Sequence, residues 1–182
     1  LEAALMVRPT IKRVYVYDIR MESSERFVEE SKVKYPKVEF IAVAEPKDAV
    51  KDSDIIVCVT LANEPFIEAD WLKKGSLVMN MADFEVTYDC VKKANKIVVD
   101  NWETIKPRMI STVALMWKDG VIKDEDIYAQ LGQILTGDKK GRENDDEIIY
   151  FNAVGTGILD IAVTTRCYRK ALELGKGVRL AY

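Results

Sequence analysis

Asp54-Ile55-Ile56-Val57-Cys58-Val59-Thr60 contains a strand-sized apolar run, residues 55–59, closed by a hydroxyl side chain. Apolar residues occupy odd and even positions alike, as in strands covered on both faces; a half-exposed antiparallel strand would alternate. Outward from it, β-branched runs recur at 14–17, 38–43, 77–81, 97–99 and 148–151. Between them lie segments of helical spacing. Residues 22–34 carry Phe27, Val28 and Val33 in a charged frame and stop before Pro36, and residues 45–50 hold Pro46 in a first turn, where its missing N–H costs nothing. Residues 69–74 run up to Gly75, a natural helix end, and residues 86–93 form the next segment. Residues 124–135 place Ile127, Leu131, Ile134 and Leu135 on one stripe before Gly137, and residues 156–174 make a last helix. The hydrophilic run 137–146 reads as a loop. Strand, helix, strand in repetition predicts an α/β fold, a mostly parallel sheet with crossover helices.

The chain has 182 residues, enough for one good-sized core. A net charge of -3, with Lys and Arg interspersed among Asp and Glu, leaves no basic patch for a nucleic-acid backbone. No apolar run approaches the roughly 20 residues of a membrane helix, and the balance suits a cytoplasmic enzyme. Cys58, Cys90 and Cys167 are odd in number and far apart, which fits reduced thiols. Cys58 belongs to a buried strand and reads as a small apolar residue. Histidine is absent, so Ser-His and Cys-His pairs and a zinc cluster are excluded, and no metal site is expected. Proton transfer falls to carboxylates, Lys, Tyr or water.

Leu1-Glu2-Ala3-Ala4-Leu5-Met6-Val7 favours a helix, has no cap before it and ends at Pro9. It reads as the back end of a helix. In a Rossmann-like fold the first helix follows the first strand through a glycine-rich turn, so both are expected upstream of residue 1.

Several residues are placed to carry chemistry. Asp18 closes Arg13-Val14-Tyr15-Val16-Tyr17; at the tip of a second strand it would accept from adenosine ribose hydroxyls and favour NAD over NADP, the alternative being a turn or capping aspartate. Thr60 ends its strand where ligands of open parallel sheets lie, although a turn former is equally consistent. Asn80-Met81-Ala82-Asp83-Phe84-Glu85 leaves the next strand with two carboxylates; one of them could act as general acid or base, or simply cap the following helix. Val154-Gly155-Thr156-Gly157-Ile158-Leu159-Asp160 opens a helix, but Asp160 stands where a third glycine should be, so it is no pyrophosphate loop. Tyr168, Ala171 and Leu172 read as a core stripe, and Cys90 and Cys167 have no activating neighbour.

The order Leu-Glu-Ala-x-x-x-Val-Arg-Pro (1–9), Val-Tyr-Asp (16–18), the 54–60 strand and Leu72-Lys73-Lys74-Gly75 resembles the ornithine cyclodeaminase and mu-crystallin family. Leu131-Gly132, Gly137, Gly141-Arg142 and Phe151-Asn152-Ala153-Val154-Gly155 before an Asp-Ile-Ala helix resemble that family's closing segment. The resemblance covers essentially the whole chain. It implies an NAD(P)-dependent enzyme, usually a homodimer, moving a hydride at a carbon bearing nitrogen in an amino-acid or imino-acid substrate. In cyclodeaminases the imine is attacked by the substrate's terminal amine, ammonia leaves and the hydride returns. Carried over by position, Asp18 would hold the ribose, while Thr60, Met81, Ala82 and Ala153 would border the cofactor. Asp83 would be the catalytic carboxylate, with Glu85 in reserve. The family's Pro-Gly-Lys beyond the aspartate is missing, and its Ser before Val-Gly is Ala153. The substrate domain that precedes the glycine loop in that family is not in this sequence. Residues 1–155 are therefore expected to form a partial NAD(P)-binding domain lacking its first strand, and residues 156–182 a helix and tail returning toward the substrate domain. The segment by itself is expected to bind NAD weakly and not to turn over. A mu-crystallin-like protein that holds nucleotide and a small ligand without catalysis is the alternative.

Overall fold

The computed structural model describes residues 1–81 and 84–178. In chain order the elements are α1 (Glu2–Val7), β1 (Arg13–Val16), α2 (Met21–Lys34), β2 (Glu39–Ala42), α3 (Pro46–Val50), β3 (Ile55–Cys58), β4 (Leu77–Asn80), α4 (Tyr88–Lys93) and β5 (Lys96–Val99). They continue with α5 (Trp102–Ile105), α6 (Thr112–Lys118), β6 (Ala129–Gln130), α7 (Leu131–Leu135), β7 (Ile149–Asn152) and α8 (Gly157–Glu173). Every strand pair is parallel. β1 and β2 form one ladder, and the other strands form a sheet of order β3-β4-β7-β5-β6, with the last strand in sequence inserted at its centre.

The local reasons are readable. Lys32 and Lys34 sit in the last turn of α2, where cations meet the negative helix end, and Val28 is buried beneath the helix beside Phe40 of β2. The Asn101 side chain accepts from Thr104 N and opens α5. α6 buries Thr112, Val113, Ala114 and Met116, and the chain reverses after it at Gly120, whose φ of 70° is open to glycine at no steric cost. The main core lies on one face of the larger sheet, where Ile56, Val78 and Tyr150 meet Val91, Ile105 and Met116.

The opposite face is unevenly covered. Strands of this composition are expected to be covered on both sides, yet on β3 Ile56 and Cys58 are buried while Val57 is 51% exposed, and Val59 just beyond is 71% exposed. Among the described residues no element lies over that edge. The same edge is where the sheet divides. Lys12 O and Val16 O accept from β2, so the peptide groups of Arg13, Tyr15 and Tyr17 face away from it. Asp54 O and Cys58 O accept from the β4 side, so those of Ile55, Val57 and Val59 face away from β4. The Tyr17 and Phe66 rings, 6.1 Å apart, bring the end of β1 against the loop that follows β3.

Three expectations need correction, and two helices had no counterpart among them. The 124–135 helix is a single 3-10 turn at Asp124–Asp126, then β6, then α7, because Tyr128 N donates to Ile97 O and turns the stretch into a sheet edge. Residues 69–74 make only a 3-10 turn, Ala69–Trp71. The helices α5 and α6 lay outside the sequence pattern. Tyr168 and Leu172 are exposed rather than core, since α8 buries no residue at all. The opening segment is helical, as expected, and rests beside α2 with Glu2 bonded to Lys34 and to Tyr35 Oη. No helix among the described residues is long and apolar enough to cross a membrane.

Candidate active site at the carboxyl edge

Within each sheet the strands run the same way, so the carboxyl ends of each share one edge, the edge on which open α/β sheets bind ligands. Tyr17, next to Asp18, packs near Phe66, whose backbone N–H donates to the Glu85 carbonyl beside Thr60. Asp18 and Thr60 lie two residues beyond β1 and β3; Met81 and Ala153 lie one residue beyond β4 and β7. The structure thus places four of the sequence-derived cofactor residues just past carboxyl ends of parallel strands, Asp18 in the smaller sheet and Thr60, Met81 and Ala153 in the larger. Ala82 and Asp83 lie outside the described residues.

Asp18 is half-buried, and its Oδ1 accepts from Arg20 N at 2.8 Å, an Asx turn that launches α2. The turn role is real and uses one oxygen; Oδ2 has no partner among the described residues. Thr60 is bound inward. Its backbone N and its Oγ1 donate to the same oxygen, Glu85 Oε1, at 2.9 and 3.1 Å.

Glu85 is fully buried. Its Oε2 accepts from Asn80 Nδ2 at 2.5 Å, and its backbone carbonyl accepts from Phe66 N and Ile67 N. A carboxylate so engaged holds the loop after β4 against the loop after β3. Asn80 and Asn152 are register partners at the ends of β4 and β7. Asn80 Oδ1 accepts from Tyr150 Oη at 2.7 Å, and Asn80 O accepts from Asn152 Nδ2 at 2.8 Å and from Ala153 N at 3.2 Å. Burial holds the Tyr150 hydroxyl well above its usual titration range, so it stays a donor. Asn152 Oδ1 is buried and has no partner among the described residues. An orphaned acceptor at the ligand edge is what a donor on a bound molecule would satisfy.

Asp100, just beyond β5, shapes the remaining side of the rim. Its Oδ2 accepts from Val154 N at 3.1 Å and Gly155 N at 2.8 Å, and its Oδ1 accepts from Asn101 N. That clamp fixes the turn into α8, with Gly155 at φ 84°. Burial raises the thiols of Cys58 and Cys90 and so favours their uncharged, less nucleophilic form.

Asn80, Asn152 and Asp100 were missed by the sequence reading. The available signal was a polar residue ending an apolar strand, as in Leu77-Val78-Met79-Asn80 and Ile149-Tyr150-Phe151-Asn152.

Known proteins resemble this chain in sequence and fold. N-((2S)-2-amino-2-carboxyethyl)-L-glutamate dehydrogenase of Staphylococcus aureus is 37% identical over 170 residues, covering 93% of this chain and 50% of that protein. Delta(1)-pyrroline-2-carboxylate reductase of Bacillus cereus is 34% identical over 186 residues, covering 100% of this chain and 56% of that protein. The Thermococcus litoralis Delta(1)-pyrroline-2-carboxylate reductase, solved with NADH and L-proline, superposes with a TM-score of 0.85 at 33% identity, over 93% of this chain and 53% of that one. An archaeal alanine dehydrogenase dimer with bound NAD gives 0.85 at 28% identity, over 95% and 53%. The chain spans about half the length of the curated relatives it matches. With the model for the ornithine cyclodeaminase/mu-crystallin family matching residues 1–175, this chain belongs to that family.

Proposed function

We propose that this chain is the dinucleotide-binding half of an NAD-dependent oxidoreductase acting at a carbon that bears nitrogen, in an amino acid or imino acid. The observation that carries the reading is the position of Asp18 and Thr60 just past the carboxyl ends of parallel strands, one in each sheet, the edge on which doubly wound folds bind a dinucleotide. The dehydrogenase and reductase relatives support the chemistry. On this reading residues 1–155 hold the cofactor, residues 156–182 reach toward a substrate domain, and the complete enzyme is a cytoplasmic homodimer, as the archaeal alanine dehydrogenase is a dimer.

The residues present fit NAD. Asp18 Oδ2 can accept from ribose hydroxyls and repels a 2′-phosphate, although Arg20 lies close to it in the chain, and Asn152 Oδ1 offers a buried acceptor. When bound, the cofactor supplies the hydride acceptor or donor. Thr60, Met81, Ala82 and Ala153 border it. Asp83 is the carboxylate assigned to proton transfer, because Glu85 is fully buried with three donors on its oxygens.

The test uses the protein at its full encoded length. NADH titrated by fluorescence should bind, and Asp18→Ala should weaken that binding by about 10- to 100-fold, the worth of charge-assisted hydrogen bonds. Asp83→Asn should keep NADH affinity and lower kcat by about 100-fold or more, followed by absorbance and by ammonia release with amino acids and cyclic imines. Absence of NADH binding would overturn the cofactor reading; binding without any turnover would leave a nucleotide-holding protein of the mu-crystallin kind.

A further inference from the structure

Glu85 is fully buried, yet no Lys or Arg is paired with it among the described residues. Burying a carboxylate without a cation is costly unless hydrogen bonds compensate. Three donors do so here, and all belong to the candidate site or its floor. The direction of each bond is fixed. Tyr150 Oη donates to Asn80 Oδ1, which turns Asn80 Nδ2 toward Glu85 Oε2. Thr60 N and Oγ1 both converge on Glu85 Oε1, so one oxygen fixes the backbone and the stiff χ1 of a β-branched residue together. The relay crosses β7, β4 and the end of β3: Tyr150 donates to Asn80, and Asn80 and Thr60 donate to the carboxylate.

A hydroxyl has one proton and two lone pairs. With the Thr60 proton committed inward, the side chain has only acceptor capacity left. We infer that Glu85 is a positioning residue that orients Thr60 so that it meets the dinucleotide as a hydrogen-bond acceptor, selecting a ligand N–H or O–H there and disfavouring a phosphate oxygen. The inference rests on the cofactor reading above. Phosphate oxygens carry negative charge and have no proton to give, and the buried carboxylate behind Thr60 adds repulsion. An amide or a sugar hydroxyl satisfies Thr60 instead.

The experiment is a double-mutant cycle on the protein at full encoded length, with Kd for NADH, kcat and Tm measured for wild type, Glu85→Gln, Thr60→Val and the double variant. Glutamine keeps the volume but presents an amide N–H toward donors, so Thr60 loses its fixed orientation. Each single variant should raise the Kd by about 10-fold, and the double variant should be no worse than Thr60→Val, because both act through one contact. Glu85→Asp, which keeps the charge but withdraws it by about 1.5 Å, should raise the Kd similarly, and it serves if the glutamine variant does not fold. Additive losses would overturn the inference. So would a fall in kcat at unchanged Kd, which would make Glu85 an acid or base. A lower Tm with unchanged Kd would reduce it to a structural role and equally overturn it. Failure of the wild-type protein to bind NADH would instead strike the cofactor reading, before any variant is compared.

Discussion

At the scale of single residues, the division between legible and illegible follows sequence distance. Asp18 and Thr60 were readable because a polar side chain ending an apolar run belongs to a strand tip whatever the register. The duty of Glu85 was not, since its partners Thr60 and Asn80 stand 25 and 5 residues away and meet it only once β3 and β4 are paired. A carboxylate next to Asp83 looked like spare catalytic equipment; its burial shows it holding two loops. Tyr150 was hidden in the same way, as an aromatic residue in a strand that turns out to carry the hydroxyl supporting Asn80. Tyr150→Phe should therefore cost about 1–3 kcal/mol of stability, because it keeps the ring and leaves Asn80 Oδ1 buried without its donor. Urea unfolding monitored by tryptophan fluorescence measures this, and a change under 0.5 kcal/mol would mean that the relay contributes nothing to the fold.

At the scale of elements, the long periodic segments and the apolar runs announced themselves, and the short pieces did not. β6 has two residues, and its neighbours carry a 3.6-residue stripe, so tertiary pairing with β5 decided what local pattern could not. The hydrophilic stretch 137–146 was correctly read as loop, but nothing local foretold that Lys96, on β5, reaches into it. Lys96 Nζ donates to Gly141 O at 2.6 Å and pairs with Glu143 at 2.8 Å and Glu147 at 3.3 Å. Burial pulls the Lys96 ammonium down, but its bonds to the two glutamates outweigh that and raise it above 10.5. Glu143 is held below 4.5 chiefly by Lys96, and Glu147 below 4.5 chiefly by the Glu143 backbone N–H. Carboxylates depressed in the folded state stabilise it fully above 4.5 and lose that contribution as pH falls through their folded values. A raised lysine stabilises it below 10.5 and loses its contribution as pH climbs through its folded value. The loop clamp is thus complete from about pH 4.5 to 10.5. Amide exchange across residues 141–147, corrected for intrinsic rates, should accelerate severalfold below pH 4, and Lys96→Met should show the same acceleration already at pH 7. Equal protection in the variant and the parent at pH 7 would disprove the clamp.

At the scale of the whole molecule, the repeated strand-helix pattern made the α/β class evident, and the division of the sheet explains what the pattern could not convey. Val57 and Val59 are too apolar for a solvent face, and the outward peptide groups of β1 and β3 meet no ladder partner among the described residues. α8 repeats the anomaly, with Ile158, Ile161, Tyr168 and Leu172 exposed on a helix that buries nothing. Relatives are about twice as long. If a further segment, of the kind that makes up the other half of the relatives, covers both surfaces in a longer protein, the same substitution must have two different costs. In the 182-residue chain, Val57→Asp replaces a half-exposed side chain and should change stability by no more than about 0.5 kcal/mol. In the full-length protein it would place an unpaired carboxylate under a covered sheet edge and should cost about 3 kcal/mol or more. Ile161→Glu on α8 should divide in the same manner. Chemical denaturation of both lengths, each with and without the substitutions, measures the difference directly; equal costs in the short and long proteins would mean that β3 and α8 stay open to water in both.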